Sequence, residues 1–71
     1  MNLLLVVKLY GNGKAVAIPL NKIESIADEI QFCRIWIDKK QDVFYDTDAS
    51  FTEILKAWSI GFTYLTNNHT L

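Results

Sequence analysis

Hydrophobic and polar positions divide the chain into short blocks separated by tight punctuation. Residues 3–10 (LLLVVKLY) form an apolar run rich enough for a strand buried on both faces. Gly11-Asn12-Gly13-Lys14 follows. Glycine and asparagine tolerate positive φ, so this stretch predicts a hairpin turn. Residues 15–20 return as a second strand. Pro19 lacks an N–H donor and belongs at a sheet edge or at the strand's end. Residues 21–30 carry two readings. Ile23, Ile26, Ala27 and Ile30 have helical spacing, with Asn21 as a cap. Ile23-Glu24-Ser25-Ile26 also suits a short turn running into a strand, and that reading is adopted.

Residues 31–37 alternate cleanly. Cys33, Ile35 and Ile37 take one face, and Phe32, Arg34 and Trp36 the other. Residues 38–42 are a polar turn, and Val43-Phe44-Tyr45-Asp46 comes back as the partner strand. A helix then opens at Ser50-Phe51-Thr52-Glu53. This is a capping box, in which the serine hydroxyl meets the N3 amide and the glutamate reaches back. Phe51, Ile54, Leu55 and Trp58 supply its apolar stripe. Lys56 suits the negative end of the helix dipole, and Gly61 provides the C-terminal stop. Residues 62–66 alternate as a last strand, and Asn67-Asn68 marks another turn. The pattern defines an α+β chain: a small, antiparallel, strongly bent, barrel-like sheet with one helix near the C-terminus.

Composition bounds this picture. Seventy-one residues make one compact domain, spanning 1–71. Hydrophobic residues are 51% of the chain, more than so small a domain hides easily, so a homo-oligomer or a covering partner is expected. High hydrophobicity with a net charge of -1 excludes intrinsic disorder. Seven basic against eight acidic residues give no bulk attraction to phosphate, so nucleic acid is not the favoured partner. The run Leu3–Val7 is too short for a signal-peptide core, and no stretch approaches a membrane span. A cytoplasmic location without membrane contact is the expectation. Asn68-His69-Thr70 matches the glycosylation sequon but carries no meaning in that setting.

Chemistry-bearing groups are sparse. One Cys and one His do not make a zinc site. Residues 46–50 (DTDAS) imitate the start of a calcium loop, but Phe51 and Ala57 stand where the template needs glycine and glutamate. Cys33 falls in phase with Ile35 and Ile37 and reads as a small core residue, not as a nucleophile paired with His69. Gly11-Asn12-Gly13-Lys14 lacks the spacing and following helix of a phosphate loop. The expectation is a non-enzyme with no metal and no cofactor.

The most informative group is Phe32, Arg34 and Trp36 on one strand face, with Val43 and Tyr45 alternating together on the neighbouring strand. Trp, Tyr and Arg are the residue types enriched at interaction hot spots. These five residues are the candidate partner-binding face, with Tyr64 as an addition. A face covered by the chain's own dimer mate and an ordinary core face are the alternatives.

Two families resemble the chain. Ile18-Pro19-Leu20-Asn21-Lys22-Ile23-Glu24-Ser25-Ile26 resembles the opening of a LytTR DNA-binding domain. Phe32-Cys33-Arg34-Ile35, the hairpin after it, and the helix Phe51 to Trp58 continue in the LytTR order. Gly61-Phe62 falls where that family has its F-x-R-I-H-R-S segment, although residues 62–69 here hold no arginine or lysine. Leu9 to Lys14 and Leu20-Asn21-Lys22-Ile23-Glu24 are similar to the FlbD/SwrD group of small flagellar-associated proteins. The expected function is a small regulatory module acting by protein contact, through self-association or inhibition of a partner. A LytTR-like DNA-binding regulator and a phage-type inhibitor of a host enzyme are the alternatives.

Overall fold

An apolar run broken by Gly11 and Gly13 folds back on itself. β1 (Leu4–Lys8) and β2 (Ala15–Pro19) pair antiparallel, with Leu4 opposite Pro19 and Lys8 opposite Ala15. Both glycines take positive φ, +95° and +70°, and Asn12 Oδ1 accepts from Lys14 N at 2.9 Å. The computed structural model describes the backbone of residues 3–69 and the side chains of residues 3–61. The Tyr64 and His69 side chains, and Thr70 of the sequon, lie outside them.

Pro19 ends β2, and a single 3-10 turn over Leu20–Lys22 follows. β3 (Ser25–Asp28), β4 (Cys33–Asp38) and β5 (Val43–Thr47) then form a three-stranded antiparallel sheet in that order. The turn-then-strand reading of residues 21–30 matches this course. Asp38 Oδ1 accepts from Gln41 N in the polar turn, and Asp42 takes a φ of 62° there. The pairing register shifts between Trp36 and Asp38, so Ile37 sits in an irregularity of the ladder.

The two sheets meet where β1 runs past the end of β5. Leu9 bridges Thr47, Tyr10 N donates to Asp46 O, and Asp48 N donates to Lys8 O. They do not close, so the expected barrel-like sheet is instead two open sheets joined at one corner. The core fills the angle between them. Val7, Ile18, Leu20, Ile23, Cys33, Ile35 and Ile54 are buried, and Thr47 is buried with its Oγ1 accepting from Ala49 N.

Three sequence expectations need correction. The first strand is not buried on both faces: Leu4 and Val6 are 56% and 68% exposed, whereas Val7 is buried. Among the described residues only one side of the β1–β2 hairpin has anything packed on it, so its alternation is that of an ordinary antiparallel strand. Next, α1 runs from Phe51 to His69 without stopping at Gly61. The predicted strand over 62–66 and the turn at Asn67-Asn68 are helical, and Lys56 lies mid-helix. Gly61 serves the opposite purpose to a stop. It is buried against Leu20, and a Cβ built there would collide with Leu20 Cδ1. Last, Leu55 is 40% exposed, and the inward row of α1 is Phe51, Ile54, Trp58 and Gly61. Ser50 caps this helix, its Oγ accepting from Glu53 N at 3.1 Å. Among the described residues no helix is long and apolar enough to cross a membrane.

Candidate functional site

The outer face of the three-stranded sheet carries the aromatic group. Alternation along β4 turns Cys33 and Ile35 to the core, where they are 1% and 0% exposed. Arg34 and Trp36 therefore face outward, and Phe32 continues their phase just before the strand. The antiparallel register sets Arg34 opposite Asp46 and Trp36 opposite Phe44. Residues directly opposite share a face, so Phe44 and Asp46 join the outer side. Phe51 and Trp58 of α1 pack against the buried cluster on the other side, to which none of these outward residues belongs.

Arg34 is the centre of this surface. Its Nε donates to Asp46 Oδ1 at 2.8 Å and its Nη2 to Asp46 Oδ2 at 3.1 Å, a two-pronged pair across adjacent strands. The hydrogen bond to Asp46 holds the guanidinium pKa above its ordinary value. Rings flank the pinned guanidinium: its carbon lies 4.0 Å from the Phe44 centroid, 5.5 Å from Phe32 and 5.6 Å from Trp36. Tyr10 tilts against Phe32 at 5.2 Å, and Trp36 against Phe44 at 5.0 Å. Lys39 approaches the Trp36 ring at 6.0 Å. The result is one row: Tyr10, Phe32, Arg34, Phe44, Trp36. Tyr10 is 45% exposed, and its hydroxyl reaches Gln31 Oε1.

Of the five residues expected here, Phe32, Arg34 and Trp36 come together as anticipated. Tyr45 does not: it pairs with Ile35 and packs on the core side. Val43 shares its phase and lies opposite Asp38, past the ladder irregularity. Simple alternation allowed either phase of β5 to meet Arg34, and a one-residue slip flips every side chain. The missed members are Phe44, Asp46 and Tyr10. The opposite charges of Arg34 and Asp46 are the signal that selects the phase, since setting 34 against 46 also sets 36 against 44.

Arg34 is not an open anion grip, because Asp46 takes its Nε and one Nη2 donor and neutralises its charge. What remains is a row of rings around a paired charge, a surface suited to packing. Cys33 lies directly beneath. Burial pushes its thiol pKa up, and the nearby carboxylates of Asp28 and Asp46 add to this, so it stays protonated at neutral pH. Among the described residues no group of three His, Cys, Asp or Glu is placed to hold a metal ion. Asp46 of the calcium-like stretch is committed to Arg34, and Ser50 to the helix cap. No family model, curated protein or solved structure matches this chain.

Proposed function

We propose that this chain is a small non-catalytic regulatory module that works by protein contact, with the row around Arg34 as its contact surface. The carrying observation is the bidentate Arg34–Asp46 pair set among Phe32, Phe44 and Trp36. Pairing neutralises the arginine and fixes its plane, so the row offers preorganised aromatic area at small entropic cost. Inhibition of an enzyme by covering its surface, as phage-borne inhibitors do, is one form of this activity.

A photo-crosslinking amino acid in place of Tyr10, at the exposed end of the row, tests the reading in cells that express the chain. The expected adduct is a protein, and it disappears when Trp36→Ala and Phe44→Ala are added to a variant that remains folded by circular dichroism. An adduct that survives those changes removes the row from the function.

The second reading is a LytTR-like regulator that binds DNA. The run of elements after Pro19 favours it: a turn at Leu20–Lys22, then the strand Ser25–Asp28. Phosphate contacts would fall to Lys8, Lys14, Lys22, Lys39 and Lys40, with Arg34 held by Asp46. Salt-sensitive retardation of duplex DNA in a gel supports that reading, and no shift at low salt rejects it.

A further inference from the structure

The outward face of the β1–β2 hairpin is a second surface, separate from the row around Arg34. β1 contributes Leu4, Val6 and Lys8 to it, and β2 contributes Ala15, Ala17 and Pro19. The register pairs a large residue with a smaller one at every rung: Leu4 with Pro19, Val6 with Ala17, Lys8 with Ala15. Leu4 and Val6 are 56% and 68% exposed, and both alanines are exposed. Beside Leu4 the face runs into an apolar recess of about 390 Å³, lined by Leu3, Leu20, Ala57, Ile60 and Gly61. Ile60 at its rim is itself 61% exposed.

We infer that a second copy of this chain covers this face, forming a two-fold dimer by stacking hairpin on hairpin. The argument is self-complementarity. A two-fold axis parallel to the strands, between β1 and β2, lays the bulky row of one copy over the small row of the other. Val6 then meets the partner's Ala17, and Leu4 meets the partner's Pro19. An axis across the strands would stack β1 on β1, with large side chains opposed and the alanines facing gaps. Lys8 stands at one end of the face, where its long chain carries the charge past the contact.

Area sets the strength. A standard interface takes roughly 800 Å² from each partner. The whole chain exposes 5166 Å². Two five-residue strands and one recess supply less than the standard patch, so the dimer is concentration-dependent, not permanent. This inference does not rest on the row around Arg34, which lies on the other sheet and stays open in the dimer.

The test is sedimentation equilibrium on the full chain across a concentration series. The expected result is a monomer of 8.2 kDa passing to a species of twice that mass in the micromolar range. Val6→Lys and Ala17→Glu should each weaken association roughly a hundredfold, because a symmetric interface loses the contact twice. Both sites are exposed, so both variants should keep the wild-type circular dichroism. Mixing the two variants should restore a heterodimer, in which the introduced lysine meets the introduced glutamate. Trp36→Ala should leave the mass unchanged. A wild-type chain that stays monomeric to its solubility limit overturns the inference, as does a Val6→Lys chain that still dimerises. Variants that each become monomeric but fail to recover on mixing overturn the stacking arrangement.

Discussion

Ile30 shows how much a single residue can be held against its own preference. It sits between β3 and β4 with φ at 71° and is 96% exposed. Asp28 Oδ1 accepts from its amide, and Glu29 N donates to Phe32 O across the turn. A β-branched side chain in that region costs about 1–3 kcal/mol, and so exposed a side chain recovers little by packing. Ile30→Gly should therefore stabilise the fold by about 1 kcal/mol net, a rise of roughly 4–8 °C in Tm for a domain this size. An unchanged or lower Tm in calorimetry would show that the turn does not strain the isoleucine. Cys33 gives a pH dependence with a definite sign. Its thiol pKa is raised in the fold above the ordinary 9.0, so the unfolded chain ionises first. The stability from this group is fully present below about pH 9 and is lost as pH climbs from there through the folded value. In urea titrations Cys33→Ala should show a shallower alkaline loss than the wild type, whatever its absolute stability. Equal slopes would assign that loss to other groups. At this scale alternation alone located Phe32, Arg34 and Trp36. Phe44 escaped it because its position depends on which residue of β5 faces Arg34, a fact about pairing between strands.

At the scale of elements, α1 is the clearest departure from local pattern. Its start is written in Ser50 and Glu53, and the serine–amide bond forms as the motif predicts. Its end is not, because Gly61 reads locally as a terminator. Glycine has two uses, positive φ and close approach, and only the neighbouring element reveals which applies. Here Leu20 presses on the helix at Gly61. In an open helix interior Gly→Ala stabilises by about 1 kcal/mol. Gly61→Ala should reverse that sign and destabilise by about 1–3 kcal/mol, because the new methyl overlaps Leu20. Adding Leu20→Ala should make the pair less than additive in denaturant midpoints. Strict additivity would mean that the helix and the 3-10 turn do not press together at that point. The hairpins were far more legible. Gly11-Asn12-Gly13 and the polar residues 38–42 specify turns through backbone freedom and local side-chain bonds, which need no distant partner.

At the scale of the whole molecule, two small open sheets share one corner and one helix. Among the described residues neither sheet buries both faces, and this leaves two unlike surfaces. One is a row of rings around a neutralised arginine, the other a ridge-and-furrow apolar hairpin. The high hydrophobic fraction in the composition thus resolves into two addresses, not one. If the hairpin face is covered by a second copy, mass action ties stability to concentration, and Tm should rise as the protein is concentrated. The Val6→Lys variant should lose that dependence.

The amino-acid sequence by itself determined the α+β class, the turns at residues 11–14 and 38–42, the order of the five strands before the helix and the cap of the helix. Each of these follows from periodicity, capping chemistry or glycine placement within a few residues. The tertiary structure decided which phase of β5 meets Arg34, where the helix ends and which face of β1 is left open. Those outcomes depend on residues far apart in the chain: Asp46 against Arg34, Leu20 against Gly61, and the core filling only one side of the hairpin. Register and close approach are properties of pairs of elements, and no window along one element contains them.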